Sequence, residues 1–408
     1  MAYLSISKTA NLLGTTHKLS SSKSISNRAL ILKALSGNQS VVSNLSDARD
    51  TQTMNRLITS NDKLIDVLDA GTTMRFLAAY FAITNQNKIL TGTARMKERP
   101  IGILVDALRE LGVTIDYLEQ EGFPPIETKG FVIQKTNTLT IPGNVSSQYI
   151  SALMMIAPTL PKGLIITLTG KMGSVPYFQM TASLMAEFGV ACQIDLEAQK
   201  ITILPRAYKP TDITVEADWS SISYWYGFTA LAKTATITLP NVSEKSLQGD
   251  RVIAEIMDRL GVASTFKNNQ LVLSKKETAT ELTWDFKDCP DLAQTVLPVC
   301  AAEGITGTFT GLESLRIKET DRIAALQNEL GKIGATLTEM DAGRWMLAPG
   351  KVSGEEITIN TYHDHRMAMG LAPLATLTNL KIESPEVVNK SYPGFWDDMK
   401  SVGFEIEK

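Results

Sequence analysis

Apolar positions along the 408-residue chain recur in two kinds of segment. One is a helical stretch that ends in Gly and runs into an alternating segment: "LRELGVTIDYL" (108–118), "MAEFGVACQIDL" (185–196), "MDRLGVASTF" (257–266), "LGKIGATLTEM" (330–340) and "MKSVGFEIEK" (399–408). Gly after the last helical turn is the usual left-handed stop, and the alternation beyond it reads as a strand. Between these landmarks lie short β-like runs at 40–45, 88–92, 164–170, 235–241, 305–311 and 380–384. Each follows an apolar helix beginning near 27, 72, 148, 221, 291 or 365. The pattern predicts six units of roughly helix–strand–helix–strand–strand, the first shortened. Six copies in a chain too long for one core imply two domains of three. The period exceeds that of the usual solenoid repeats, so closed, packed domains are expected.

The segments that open these helices are polar: "SSSKSISNR" (20–28), "DAGTTMR" (69–75), "NVSSQY" (144–149), "DWSSISY" (218–224), "KDCPDLAQ" (287–294) and "YHDHRMAM" (362–369). Ser, Asp and Asn suit N-caps, and helix N-termini favour anions through free N–H groups and the dipole. Equivalent units would gather these ends in each domain and make a site for an anionic ligand. A formal net charge of −3 leaves no general attraction to nucleic acid or anionic membrane, so the cations must act locally. Cys192, Cys289 and Cys300 form no CxxC pattern, which fits a reducing compartment. "MAYLSISKTANLLG" lacks a signal-peptide core and no apolar run is long enough to span a bilayer, so a cytoplasmic location without membrane association is expected. "HDH" at 363–365 has no further ligand at metal spacing, and no metal is expected.

Taken together, "KSISNR" (23–28), "DAGTTMR" (69–75), "RMKERP" (95–100), "SSQ" (146–148), "KETDR" (318–322) and "DHRMAM" (364–369) resemble the 5-enolpyruvylshikimate-3-phosphate synthase family of enolpyruvyl transferases. The resemblance runs from about residue 8 to 400. It implies a mixed α/β fold, the two-domain inverse α/β prism, with three βαβαββ repeats per domain and the active site in the interdomain cleft. It also implies a discontinuous domain, 1–20 with 217–408, and a second domain, 21–216. The reaction implied is transfer of the enolpyruvyl group of phosphoenolpyruvate to the 5-hydroxyl of shikimate 3-phosphate, by addition and then elimination of phosphate. No cofactor is required, a monomer is expected, and the family is the target of glyphosate.

The two substrates carry roughly five or six negative charges near neutral pH, which Arg forks and Lys point charges can grip. The resemblance assigns Lys23, Gly71, Arg95, Gln148, Arg322, Arg366 and Lys390 to phosphoenolpyruvate. It assigns Lys23, Ser24, Arg28, Ser146, Ser147, Gln148, Ser174, Tyr177, Asp291, Ser314 and Lys318 to shikimate 3-phosphate. Gly71 is expected to leave room for the ligand. Asp291 and Glu319 are the expected proton-transfer groups, with Lys23 a rival donor. Ser146 and Ser147 also read as N-caps, and Glu319 as an ion-pair partner of neighbouring cations.

The chain departs from the family pattern at five places. Ser20-Ser21 stand for Pro-Gly, Ala48 for Asp, Asp69 for Asn, Phe76 for Pro and Ser314 for Asn. Positions 48 and 69 are expected to face each other, as if one carboxylate had crossed a contact. Two other functions compete. A sibling transferase acts on a UDP-linked amino sugar (UDP-N-acetylglucosamine) and carries a reactive Cys where this chain has Ala94. A non-catalytic homologue would keep only the anion site.

Overall fold

The computed structural model describes residues 2–407; the expected outer limits at 1 and 408 lie outside them. The chain divides into a continuous unit, Lys23–Val215, and a discontinuous unit that ends at Ser22 and resumes at Glu216. The passages therefore follow Ser22 and Val215, a residue or two from the expected breaks. Backbone pairing explains the shift. Ser22 N–H donates to Glu216 O at 2.8 Å, Asp218 N–H donates to Ser20 O at 2.9 Å, and Ser21 bridges Ala217. Ser20, Ser21 and Ser22 are thus buried in this pairing, so the first part of the polar run at 20–28 serves the chain passage.

Six central helices follow the apolar pattern. In the continuous unit they are α1 (Lys23–Leu35), α2 (Gly71–Ile83) and α3 (Ser147–Ile156). In the discontinuous unit they are α4 (Trp219–Leu231), α5 (Ala293–Ala302) and α6 (His365–Leu371). α2, α3 and α4 are apolar nearly all round, as a helix surrounded by core must be. The helices between them are one-sided: Gly102–Leu111 buries Leu104, Val105, Leu108 and Leu111 and leaves Asp106 to solvent. Gly112, Gly189, Gly261, Gly334 and Gly403 all have positive φ, between 73° and 116°, where an L side chain is strained.

Each complete repeat folds into a four-stranded sheet with one order. Leu64–Asp66 lies parallel to Lys88–Thr91 across the α2 crossover; Ile126–Phe131 and Val113–Tyr117 then add antiparallel. Thr138–Pro142, Leu164–Thr169, Lys200–Ile203 and Cys192–Asp195 repeat this order around α3, and Glu281–Asp285, Thr306–Thr310, Arg344–Ala348 and Thr336–Asp341 repeat it around α5. The remaining repeats are completed from a distance. Tyr3–Ile6 pairs with Leu380–Glu383 and Ile406–Glu407, and Asn11–Thr15 lies parallel to Thr234–Pro240. The shortened repeat keeps only a parallel pair, Ile213–Thr214 with Val42–Ser43. Each unit encloses its own apolar core, around Trp225, Phe228 and Phe395 in one and Phe76, Phe81 and Phe178 in the other. Among the described residues no helix is long and apolar enough to cross a membrane.

Candidate active site

In the discontinuous unit the starts of α4, α5 and α6 meet on a ring of charged side chains. Asp291, in the turn Pro290–Leu292 that leads into α5, accepts from Arg322 Nη1 at 3.0 Å and Arg366 Nη2 at 2.9 Å. Lys318 Nζ stands 3.7 Å from the same carboxylate. Glu319 accepts from Arg322 Nη2 at 2.9 Å and pairs with Lys390 Nζ at 3.3 Å. Asp364 caps α6 through the Arg366 N–H and receives Arg322 Nε at 2.7 Å. Arg366 also reaches Tyr224 OH and Ser220 Oγ, both at 3.3 Å and both on α4. Arg322, Lys390 and Asp364 are almost wholly buried. Six residues proposed from scattered motifs thus share one network: Asp291, Lys318, Glu319, Arg322, Arg366 and Lys390. Ser314 lies half-buried in the 3₁₀ turn Glu313–Ile317, just before Lys318.

The electrostatics separate two neighbouring acids. Burial raises the Asp291 carboxyl, but Arg366, Lys318 and Arg322 together outweigh burial and hold it well below the usual carboxylate range. Asp250, which accepts from Ser220 Oγ, goes the other way: burial first, then the negative Asp291, push it up to about 7. Below about pH 7 the Asp291 carboxyl is ionised while Asp250 keeps its proton. Burial also lowers Lys318, despite its attraction to Asp291. The folded chain thus holds a proton at Asp250 that the unfolded chain releases near 3.8. Its contribution to stability therefore falls as pH rises through that window and is level above it. Asp250→Asn copies the protonated form and lacks this slope. Urea denaturation from about pH 4 to about pH 8 should show the variant gaining up to about 1.4 kcal/mol per pH unit on the wild type until near neutrality. A constant difference at every pH would sink the assignment.

In the continuous unit the starts of α1, α2 and α3 also converge. Lys23 Nζ meets Asp50 Oδ2 at 3.2 Å, Thr73 Oγ1 donates to Asp50 O at 3.3 Å, and Gln148 Nε2 donates to Thr72 Oγ1 at 3.0 Å. Ser146 Oγ caps α3 at the Gln148 N–H, with Ser147 buried beside it. A Cβ on Gly71 would lie 2.5 Å from Arg75 Nη1 and 2.8 Å from both terminal nitrogens of Arg99. The near neighbours of this position are thus two guanidinium ends, which a Cβ would have to push aside. Arg95 is exposed and paired with Glu98 at 2.9 Å. Arg28 is 2% exposed. It donates to Thr181 Oγ1, Ser24 O and Ser151 Oγ at 2.7, 2.9 and 3.0 Å, and its Nη2 approaches Tyr177 O at 3.4 Å. Ser174, at φ 56°, opens the helix Val175–Glu187 that carries Tyr177.

The EPSP synthase (3-phosphoshikimate 1-carboxyvinyltransferase) family model matches residues 6–60 and 55–399. A 3-phosphoshikimate 1-carboxyvinyltransferase of Bacteroides fragilis is 47% identical over 96% of each chain. The protein of that name from Salmonella arizonae is 34% identical over 94% of this chain and 95% of its own. This chain belongs to the EPSP synthase family. In fold it is similar to an EPSP synthase structure from Acinetobacter baumannii, with a TM-score of 0.77 at 18% identity and complete coverage of both chains.

Against the EPSP synthase pattern, the departures acquire physical content. Phe76, where Pro is common, is 1% exposed and lies 5.4 Å beneath the Arg28 guanidinium, a cation–π contact that Pro could not make. Ala48 is the N-cap of Arg49–Leu57 and supplies no side-chain cap. Asp69 forms a forked contact with Arg49, the next residue, at 2.9 and 3.0 Å. An Asp at 48 would add charge beside that pair. The cycle of Ala48→Asp and Asp69→Asn should therefore show an interaction of about 0.5–3 kcal/mol in denaturation, and strict additivity would refute the coupling. The sequence reading missed Asp50, Asp250, Asp364, Ser220 and Tyr224 as members of these networks. Asp364 stood inside "DHRMAM", where its capping position was a signal; Ser220 and Tyr224 stood inside "DWSSISY", which read only as a polar helix start.

Proposed function

We propose that this chain transfers the enolpyruvyl group of phosphoenolpyruvate to the 5-hydroxyl of shikimate 3-phosphate, yielding 5-enolpyruvylshikimate 3-phosphate and phosphate on the way to chorismate. The acceptor oxygen bonds to C2 while C3 gains a proton. The C2–O bond to phosphate then breaks and C3 loses a proton to restore the double bond. The observation that carries this reading is Asp291 clasped by Arg322 and Arg366, with Glu319 between Arg322 and Lys390. Anion-binding cations and two candidate proton carriers share one network, which an anion sink alone would not need. Phosphate and carboxylate compete for the same guanidinium forks. Substrate binding thus loosens the cationic hold on Asp291 and raises its basicity for the 5-hydroxyl proton. Glu319 or Lys23 serves C3.

In this reading Lys23, Ser24, Arg28, Ser146, Ser147, Gln148, Ser174 and Tyr177 hold shikimate 3-phosphate, with Asp291, Ser314 and Lys318. Lys23, Gly71, Arg95, Gln148, Arg322, Arg366 and Lys390 hold phosphoenolpyruvate. The chain acts as a cytoplasmic monomer on two small molecules, without nucleic acid. The UDP-sugar alternative needs a reactive thiol. Cys289 and Cys300 are buried, and burial pushes Cys192 and Cys289 up to about 12. A coupled phosphate-release assay with phosphoenolpyruvate and either acceptor is the test. Release with UDP-N-acetylglucosamine and none with shikimate 3-phosphate would reverse the reading, and no release with either would favour a non-catalytic anion-binding protein.

A further inference from the structure

The segment that leads into α6 has an unusual backbone. Tyr362 and His363 have φ of 54° and 55°, and Asp364 N–H donates across them to Thr361 O at 2.8 Å. Positive φ at both central residues is the mark of a type I′ turn, where Gly, Asn and Asp dominate. A Tyr-His pair there is strained, and such strain persists only where surrounding contacts enforce it.

One helix supplies those contacts. Arg322, the first residue of Arg322–Gly331, binds Asp364 through Nε at 2.7 Å. Two turns later on the same helix, the buried Glu329 receives the Tyr362 hydroxyl at 2.9 Å and the Asn360 N–H at 3.3 Å. Lys332 pairs with both Glu329 oxygens, at 2.9 and 2.7 Å, and donates to Thr358 O at 2.7 Å. The stretch 358–364 is thus tied to one helical face at both ends, with the left-handed pair between. Lys332 alone would neutralise Glu329. The phenol adds a directional tie next to the residues that place Arg366.

We infer that Tyr362 is a positioning residue, latched by Glu329, that holds the strained turn and so sets Asp364 and Arg366 for phosphoenolpyruvate. This rests on the reading of Arg366 as a ligand of that substrate. Tyr362→Phe keeps the ring and removes the tie. It is expected to raise KM for phosphoenolpyruvate by at least about fivefold while KM for shikimate 3-phosphate stays within about twofold. Adding His363→Gly, which takes positive φ without strain, should recover most of the loss. Glu329→Gln retains an acceptor for the phenol and should keep KM for phosphoenolpyruvate within about twofold of the wild type. An unchanged KM for phosphoenolpyruvate in Tyr362→Phe, equal rises for both substrates, or no recovery with His363→Gly would overturn the inference. Should Tyr362→Phe fail to fold, a Glu329→Gln variant with KM raised as far as about fivefold would overturn it as well. Failure of the functional reading is told apart because the wild type itself then releases no phosphate, which overturns both.

Discussion

Asp291→Asn is expected to lower kcat for phosphate release by roughly 10²–10⁴, the usual range for losing a positioned acid or base. The argument begins with geometry. Asp291 accepts from two guanidinium groups at 3.0 and 2.9 Å, so its orientation is held before substrate arrives. Its carboxyl is ionised throughout the physiological range, and an amide cannot take the 5-hydroxyl proton in its place. Asn also offers a single acceptor atom to two arginines, so KM for phosphoenolpyruvate should change as well. Steady-state rates at saturating concentrations of both substrates separate the two effects. Retention of kcat to within about fivefold would remove Asp291 as the base.

Asp364→Ala should produce the largest loss of stability. The Asp364 side chain is inaccessible to solvent, and its partner Arg322 is 1% exposed. Removing one member of a buried ion pair costs about 3–5 kcal/mol because the other charge is stranded. The α6 cap is lost as well, a further contribution of about 1 kcal/mol. Against a typical total of about 5–15 kcal/mol, this should visibly shift the denaturation midpoint of the discontinuous unit. Asp364→Asn keeps a good N-cap and loses the charge, so the gap between the two variants isolates the cap. A loss below about 1 kcal/mol in Asp364→Ala would mean that Glu319 and Asp291 compensate Arg322 unaided.

The elements were legible because local physics writes them. Apolar residues on every side of 71–83, 147–156 and 219–231 mark buried helices, and polar N-caps mark their starts. The glycines at 112, 189, 261, 334 and 403 end helices because left-handed backbone penalises a Cβ. The residues proposed to bind or react were legible only as motifs. Lys318, Glu319, Arg322 and Arg366 carried a resemblance, and nothing in their spacing told Arg28, which is buried under its own hydrogen bonds, from Arg95, which is exposed.

Pairing over long separations was not legible. An alternating run shows that a strand has two faces, and it does not name its partner. Hence the amino acids alone establish six central helices, their capped starts and their strand-rich connections. Folding in three dimensions settles that Tyr3–Ile6 completes a sheet with Leu380–Glu383, and that Asn11–Thr15 joins Thr234–Pro240. It also settles which acid keeps its proton. Asp250 and Asp291 are the same residue type; burial and the negative Asp291 raise the first, whereas Arg366, Lys318 and Arg322 outweigh burial at the second.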